Sequence, residues 1–123
     1  MILILSKLPK TWLIDLDGTI VKHNGYLEGE DSLLPGVREF FEKIPKEDRV
    51  IILTSRSEKY KTQTEDFLRR NDIRYDLIIF DLPVGERILI NDEKPSGLKT
   101  AHAVNIKRDN GLSNLNFEMS DEL

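Results

Sequence analysis

Five short apolar runs recur along the chain, separated by longer stretches that mix polar and apolar residues. The runs are nearly continuous and rich in Ile, Leu and Val. That pattern is typical of strands in parallel sheets whose two faces are both covered. They are TWLI (11–14), VIIL (50–53), LIIF (77–80), RILI (87–90) and AHAVNI (101–106).

Two of the intervening segments have the spacing of amphipathic helices. In PGVREFFEKI (35–44), apolar residues recur at i, i+3, i+4 and i+7, and Pro35 favours a helix start. SEKYKTQTEDFLRRN (57–71) has one apolar side, with Ser57 or Thr62 as a possible N-cap and Asn71 suited to its end. We also predict a third helix around KPSGLKTA (94–101).

Strands that alternate with helices predict an α/β fold with a doubly wound, mostly parallel sheet. A chain of 123 residues has little room for a second domain, so we place one domain at residues 1–110. The opening MILILSKLPK is interpreted as a tail or a short extra strand. Residues 111–123 are polar and are predicted to form a loosely held tail.

The amino-acid composition argues against several classes of site and partner. Without cysteine the chain has neither disulfides nor a thiolate metal site. A net charge of −4 argues against a nucleic-acid partner, which usually meets a basic patch. No apolar run approaches the ~18 residues of a membrane span, and the start lacks the features of a signal peptide. We therefore expect a cytoplasmic protein without a membrane partner.

Polar side chains follow three of the predicted strands, where ligands bind in open α/β sheets. An ionised carboxylate buried in a strand must be paired or neutralised, so Asp15 and Asp17 after the first run suggest a site. The second and fourth runs are followed by further polar residues: Thr54, Ser55, Arg56, Asn91, Asp92, Glu93 and Lys94. Carboxylates suit Mg²⁺, and a hydroxyl and a cation suit phosphate oxygens.

DLDGT (15–19), ILTS (52–55) and ILIND (88–92) together resemble the motifs of the haloacid dehalogenase superfamily. Its first motif is Asp-x-Asp-x-Thr after a buried strand, and the resemblance spans residues 11–106. It implies a magnesium-dependent phosphatase that acts through a phosphoaspartate. By match, Asp15 would be the nucleophile, Asp17 the general acid and base, and Thr54 a phosphoryl ligand. Asp92 would hold Mg²⁺ together with the two aspartates.

The remaining site residues are assigned around these motifs. Gly18 lets the backbone bend sharply and approach a ligand closely, and we group Gly18 and Thr19 with the substrate-binding residues. Ser55 and Arg56 join them, since a guanidinium can grip a phosphate bidentately.

The family's catalytic lysine has no counterpart in DLPVGER (81–87), which is also too short for a crossover helix. Lys94 is the first candidate to replace it and Arg56 the second, followed by Lys59 and Lys61. Arg87 is set aside here, because it would open the fourth strand at the wrong end of the sheet.

Simpler interpretations remain for each motif. Asp-Gly is a frequent turn dipeptide, Thr54 and Ser55 could cap a helix, and Asn91 with Asp92 could form a turn. No cap domain fits between the motifs, so the site should be open unless a second subunit covers it. A small phosphorylated metabolite such as a sugar phosphate is the expected substrate. The alternatives are a catalytically silent binding module and a polynucleotide-type phosphatase.

Overall fold

All residues, 1–123, are described by the computed structural model, an α/β fold with parallel strands in two small sheets. Three of the strands form the larger sheet in the order β2-β3-β4, and β1 pairs with β5 in the smaller one. The elements along the chain are β1 (Ile2–Leu5), β2 (Thr11–Asp15), α1 (Val37–Lys43), β3 (Arg49–Leu53), α2 (Lys61–Arg70), β4 (Leu77–Ile79) and β5 (Asn116–Met119).

Both helices form where the apolar spacing predicts them. Helix α1 follows Pro35 and Gly36, and Gly36 adopts a φ of 76° that favours glycine. Helix α2 continues a 3-10 turn, Glu58–Tyr60, whose Ser57 hydroxyl accepts the Lys59 N–H at 3.3 Å. It ends at Asn71, whose side chain donates to the Phe67 carbonyl at 2.8 Å. The Ser57 cap and the Asn71 terminus are therefore confirmed.

The larger sheet has its core on one face. Alternate residues of its strands join buried side chains of both helices in one cluster that includes Ile14, Val50 and Ile52. On the opposite face, Leu13 and Leu77 flank Ile51 in register, and both leucines are about half exposed. A doubly wound sheet would have helices on both faces, and that arrangement is not confirmed.

The strands predicted over residues 87–90 and 101–106 and the helix around 94–101 do not form. Ile88 and Ile90 are exposed rather than paired. A parallel neighbour needs a crossover of about a dozen residues, and DLPVGER is shorter than that. The apolar run is present, but the segment before it is too short to bring the chain back to the edge at which the parallel strands begin.

The C-terminal segment is packed into the structure rather than loosely held. Leu112 is buried in the main core, and its N–H donates to the Pro35 carbonyl at 2.8 Å. Strand β5 pairs in parallel with β1, so the opening residues form the short extra strand. The Phe117 ring lies 4.9 Å from that of Trp12, which places β5 against the core. The sequence pattern did not predict strand β5, because the few apolar residues of this segment are separated by polar ones.

A buried carboxylate stabilises the edge of the larger sheet at which its parallel strands begin. The Asp48 side chain, 1% exposed, accepts the Lys10 backbone N–H at 3.0 Å and the Trp12 indole N–H at 2.8 Å. It stabilises the start of β2 against the turn before β3. No helix in the structure has the length and apolar character needed to cross a bilayer.

Candidate active site

A tight turn after β2 carries the first motif. The Leu16 carbonyl accepts N–H groups from Thr19, Ile20 and Val21 at 3.3, 2.9 and 3.1 Å. Gly18 has a φ of +87°, and a Cβ at this position would come within 3.1 Å of the Arg108 side chain. The turn therefore requires glycine both for its backbone conformation and for its close packing. We call residues 15–21 the aspartate loop.

Asp15 ends β2 at the edge where the parallel strands finish. Its side chain is 37% exposed. One carboxylate oxygen accepts the Thr19 hydroxyl at 3.0 Å, and the other accepts an Arg87 N–H at 2.6 Å. Arg87 is itself partly exposed, so this ion pair faces solvent and can exchange partners. The carboxylate of Asp15 is thus oriented from two sides and still accessible.

Asp17 lies deeper, with its side chain 17% exposed. The Thr54 hydroxyl donates to one of its oxygens at 3.0 Å, and Arg56 donates to the other at 2.6 Å. The Thr54 hydroxyl oxygen also accepts the Arg56 backbone N–H at 3.0 Å. Thr54 is buried with its hydrogen-bonding capacity directed at Asp17 and at the backbone of the same loop.

The Arg56 side chain is fully buried and surrounded by partners. Its two terminal nitrogens donate to the two oxygens of Asp31, each at 3.0 Å, and one of them also donates to the Thr64 hydroxyl at 2.8 Å. The Tyr26 ring covers the guanidinium at 3.8 Å. A guanidinium enclosed in this way contacts Asp17 and has no open face with which to grip a phosphate.

Burial and neighbouring charges shift the pKa values of two side chains in this cluster. Burial lowers the pKa of Arg56, but the hydrogen bonds that it donates to Asp31 and Asp17 outweigh this effect and raise the pKa above its usual value. Burial, followed by the negative charge of Asp17, raises the pKa of Tyr26. Both shifts favour the protonated form, the cation of Arg56 and the neutral phenol of Tyr26.

The other predicted site residues lie in different surroundings. Gly18 and Thr19 belong to the aspartate loop, and the Ser55 hydroxyl donates to the Pro83 carbonyl at 3.2 Å. Asp92 and Lys94 are exposed, and neither forms a hydrogen bond or ion pair with the aspartate loop. Around them, Lys99 pairs with Glu93 and Asn91 donates to Thr100. Their predicted roles stay predictions.

Asp15 and Asp17 are the carboxylates of the site that could bind Mg²⁺. No group of three or more His, Cys, Asp or Glu residues is arranged to hold a metal ion. Mg²⁺, however, commonly takes one or two protein carboxylates and completes its shell with waters and substrate phosphates. Asp15 and Asp17 provide two carboxylates, and each oxygen retains lone-pair capacity beyond its present hydrogen bond. Two carboxylates are the number and the chemistry of protein ligands that a magnesium ion shared with a phosphate requires.

Sequence reasoning missed three residues of the site. Asp31 lies in a polar segment whose other acids are exposed, and nothing local distinguishes it. Arg87 was set aside because a fourth strand was expected, and without that strand it reaches Asp15. Asp109 receives the His23 N–H at 2.7 Å and donates its own N–H to the Gly18 carbonyl at 2.9 Å, which fixes the aspartate loop from the far end of the chain.

Comparisons with protein-family models, with curated proteins and with solved structures found no match to this chain. The resemblance to the haloacid dehalogenase superfamily therefore rests on the quoted motifs alone.

Replacing Arg56 tests the buried cluster. Arg56→Ala should lower the free energy of unfolding by about 3–5 kcal/mol, because it leaves Asp31 and Asp17 without their shared cation. Arg69→Ala is the control, since its pair with Asp66 is exposed and should contribute about 0.5 kcal/mol. Urea unfolding measures both. Equal, small losses would contradict the enclosed guanidinium.

Proposed function

We propose that this protein is a magnesium-dependent phosphomonoester hydrolase in which Asp15 is the nucleophile. The observation that supports it is the unequal environment of two carboxylates at the end of a parallel sheet. Asp15 is accessible, whereas Asp17 is held by a hydroxyl and a buried guanidinium. An accessible carboxylate suits nucleophilic attack, and a fixed one suits directed proton transfer.

The proposed reaction has two steps. An Asp15 oxygen forms a bond to phosphorus while the bond from phosphorus to the ester oxygen breaks, and Asp17 donates a proton to the departing alcohol. Asp17, now ionised, then accepts a proton from a water whose oxygen forms a bond to phosphorus while the bond from phosphorus to the Asp15 oxygen breaks. Inorganic phosphate leaves, and Asp15 is ionised and Asp17 protonated as at the start. Asp15 and Asp17 would hold Mg²⁺, which would screen the repulsion between the attacking carboxylate and the phosphate.

A cation beside Asp15 must balance the charge of the transferring phosphoryl group. Arg87 is the basic group in contact with Asp15, at 2.6 Å, and its exposure allows it to turn to a bound phosphate. We therefore assign this role to Arg87 in the proposed mechanism. The sequence alone favours Lys94, so the two residues are compared directly below.

The substrate class follows from access and charge. The proposed substrate is a small phosphorylated metabolite such as a sugar phosphate, approached from the open side of Asp15. The net charge of −4 makes a polynucleotide a poorer candidate. The expectation that a second copy of the chain covers the open site is tested by gel filtration, which measures the oligomeric state. A catalytically silent binding module is the alternative function.

Asp15→Asn should lower phosphate release from a panel of phosphorylated metabolites by at least ~1,000-fold, since an amide cannot attack phosphorus. Asp72→Asn is the matched control, because that carboxylate is 89% exposed and far along the chain from the motif. Release of phosphate is measured with Mg²⁺ present. A wild-type protein inactive on every substrate would favour the binding module, and an active Asp15→Asn variant would contradict the nucleophile.

Removal of the metal gives a second test. We expect a chelator to abolish turnover and added Mg²⁺ to restore it, because two carboxylates alone cannot screen a phosphate dianion. Asp92→Ala, compared with Glu93→Ala, decides whether the sequence-predicted third carboxylate contributes. A raised Mg²⁺ requirement in Asp92→Ala alone would support that role, and hydrolysis that persists in chelator would contradict the magnesium scheme.

The cation is tested by a pair of alanine variants. Arg87→Ala should lower kcat/KM by ~100-fold, the scale of losing one preorganised charge, whereas Lys94→Ala should change it by less than about threefold. Steady-state kinetics with one phosphorylated substrate measure both. The reverse order of effects would return the role to Lys94, as the sequence predicts.

A further inference from the structure

The most deeply enclosed acid near the site lies outside every motif. Asp31 belongs to the segment between the aspartate loop and α1, and its side chain is 2% exposed. Both of its oxygens accept from Arg56, each at 3.0 Å, in the parallel two-bond arrangement that fixes a guanidinium most firmly. Asp31 makes no other side-chain hydrogen bond, so its polar contacts serve Arg56 alone.

Further contacts complete the enclosure of Arg56. Thr64 accepts from one terminal nitrogen at 2.8 Å, and the Tyr26 ring covers the guanidinium plane. With these partners in place, the second terminal nitrogen donates to a single oxygen of Asp17 at 2.6 Å. The other oxygen of Asp17 is left for Thr54. The orientation of the Asp17 carboxylate thus depends on how Arg56 is held.

We propose that Asp31 is a positioning residue for Asp17, acting through Arg56, and this inference rests on the function proposed above. Asp31 holds the guanidinium so that Asp17 receives one hydrogen bond from it instead of two. The pairing also shares one guanidinium between two carboxylates, so that the Asp17 oxygen facing Thr54 receives no hydrogen bond from Arg56.

Loss of the Asp31 charge would change both features. A guanidinium released from Asp31 can offer both terminal nitrogens to Asp17, and this two-bond pairing is the favoured one for an arginine and a carboxylate. The Asp17 oxygen that faces Thr54 would then turn towards Arg56. The carboxylate would be misplaced for proton transfer while Asp15 and Arg87 keep their contacts.

Asp31→Asn is the direct test, with Asp48→Asn as its matched control. Asp48 is an equally buried aspartate, but it lies at the opposite edge of the sheet, and its side chain accepts hydrogen bonds from Lys10 and Trp12. We expect Asp31→Asn to lower kcat by ~10- to 100-fold with KM changed less than about threefold, because the displaced group acts on the reaction and not on binding. Asp48→Asn should leave kcat within about twofold of the wild type.

Equal losses of kcat in the two variants, or an unchanged kcat in Asp31→Asn, would overturn the proposal. If Asp31→Asn does not fold, Thr64→Val removes one support of Arg56 without a change of charge and should lower kcat in the same direction. An unaltered kcat in Thr64→Val would then count against the proposal.

Crystal structures of the wild type and of Asp31→Asn give a readout that needs no activity. A variant in which Asp17 has left Thr54 and pairs with both terminal nitrogens of Arg56 supports the proposal. An Asp17 that keeps both original contacts overturns it. A wild-type protein without phosphatase activity, but with this rearrangement in the variant, would contradict the proposed function while leaving the positioning of Asp17 by Asp31 intact.

Discussion

A buried guanidinium is the interaction on which the site depends. Arg56 carries a charge that burial would make very unfavourable without acceptors, and its acceptors come from separate parts of the chain. Asp17 follows β2, Asp31 precedes α1 and Thr64 lies in α2. Because these acceptors together compensate the buried charge, one side chain connects the aspartate loop to the segment before α1 and to α2. Hydrophobic packing reaches the same loop through Leu16, Ile20 and Val21, which belong to the buried core.

This dependence explains how a polar segment becomes ordered. Residues 22–34 contain few apolar side chains and cannot form a core of their own. The segment is held by the ion pair of Asp31, by the stacking of Tyr26 on Arg56 and by a Tyr26–Tyr60 ring contact at 4.8 Å. Gly25 is buried within it, where a Cβ would approach the Glu30 carbonyl to 3.2 Å. These contacts add to the packing of Leu33 and Leu34 against the core at the end of the segment.

The local pattern of apolar and polar residues was sufficient to predict some elements of the fold and insufficient to predict others. Strands β2, β3 and β4 and both helices follow from apolar runs, spacing and caps, all of which act over a few residues. Pairing beyond β4 depends on the length of a crossover, so the run at 87–90 was a wrong prediction although its composition is that of a strand. The partnership of Asp31 with Arg56 joins residues 25 positions apart and leaves no periodic trace in the sequence. The aspartate loop, with Asp15 and Asp17, was predictable because carboxylates after an apolar strand are unusual. Arg56 was also named from the sequence, but its pairing with Asp17 and that of Arg87 with Asp15 were not.

The two arginines near the aspartates differ in freedom, and that difference sets what each can do. Arg56 is inaccessible and has a partner on every side but its Nε, which is buried without a hydrogen bond, so it can orient a carboxylate and cannot follow a substrate. Arg87 is partly exposed and contacts Asp15 alone, so in the proposed reaction an incoming phosphate would compete for it at little cost. Release of Arg87 from Asp15 would free a carboxylate oxygen and supply a cation to the phosphate in the same movement. A fixed arginine behind one aspartate and an exchangeable one in front of the other is consistent with two carboxylates that have different roles.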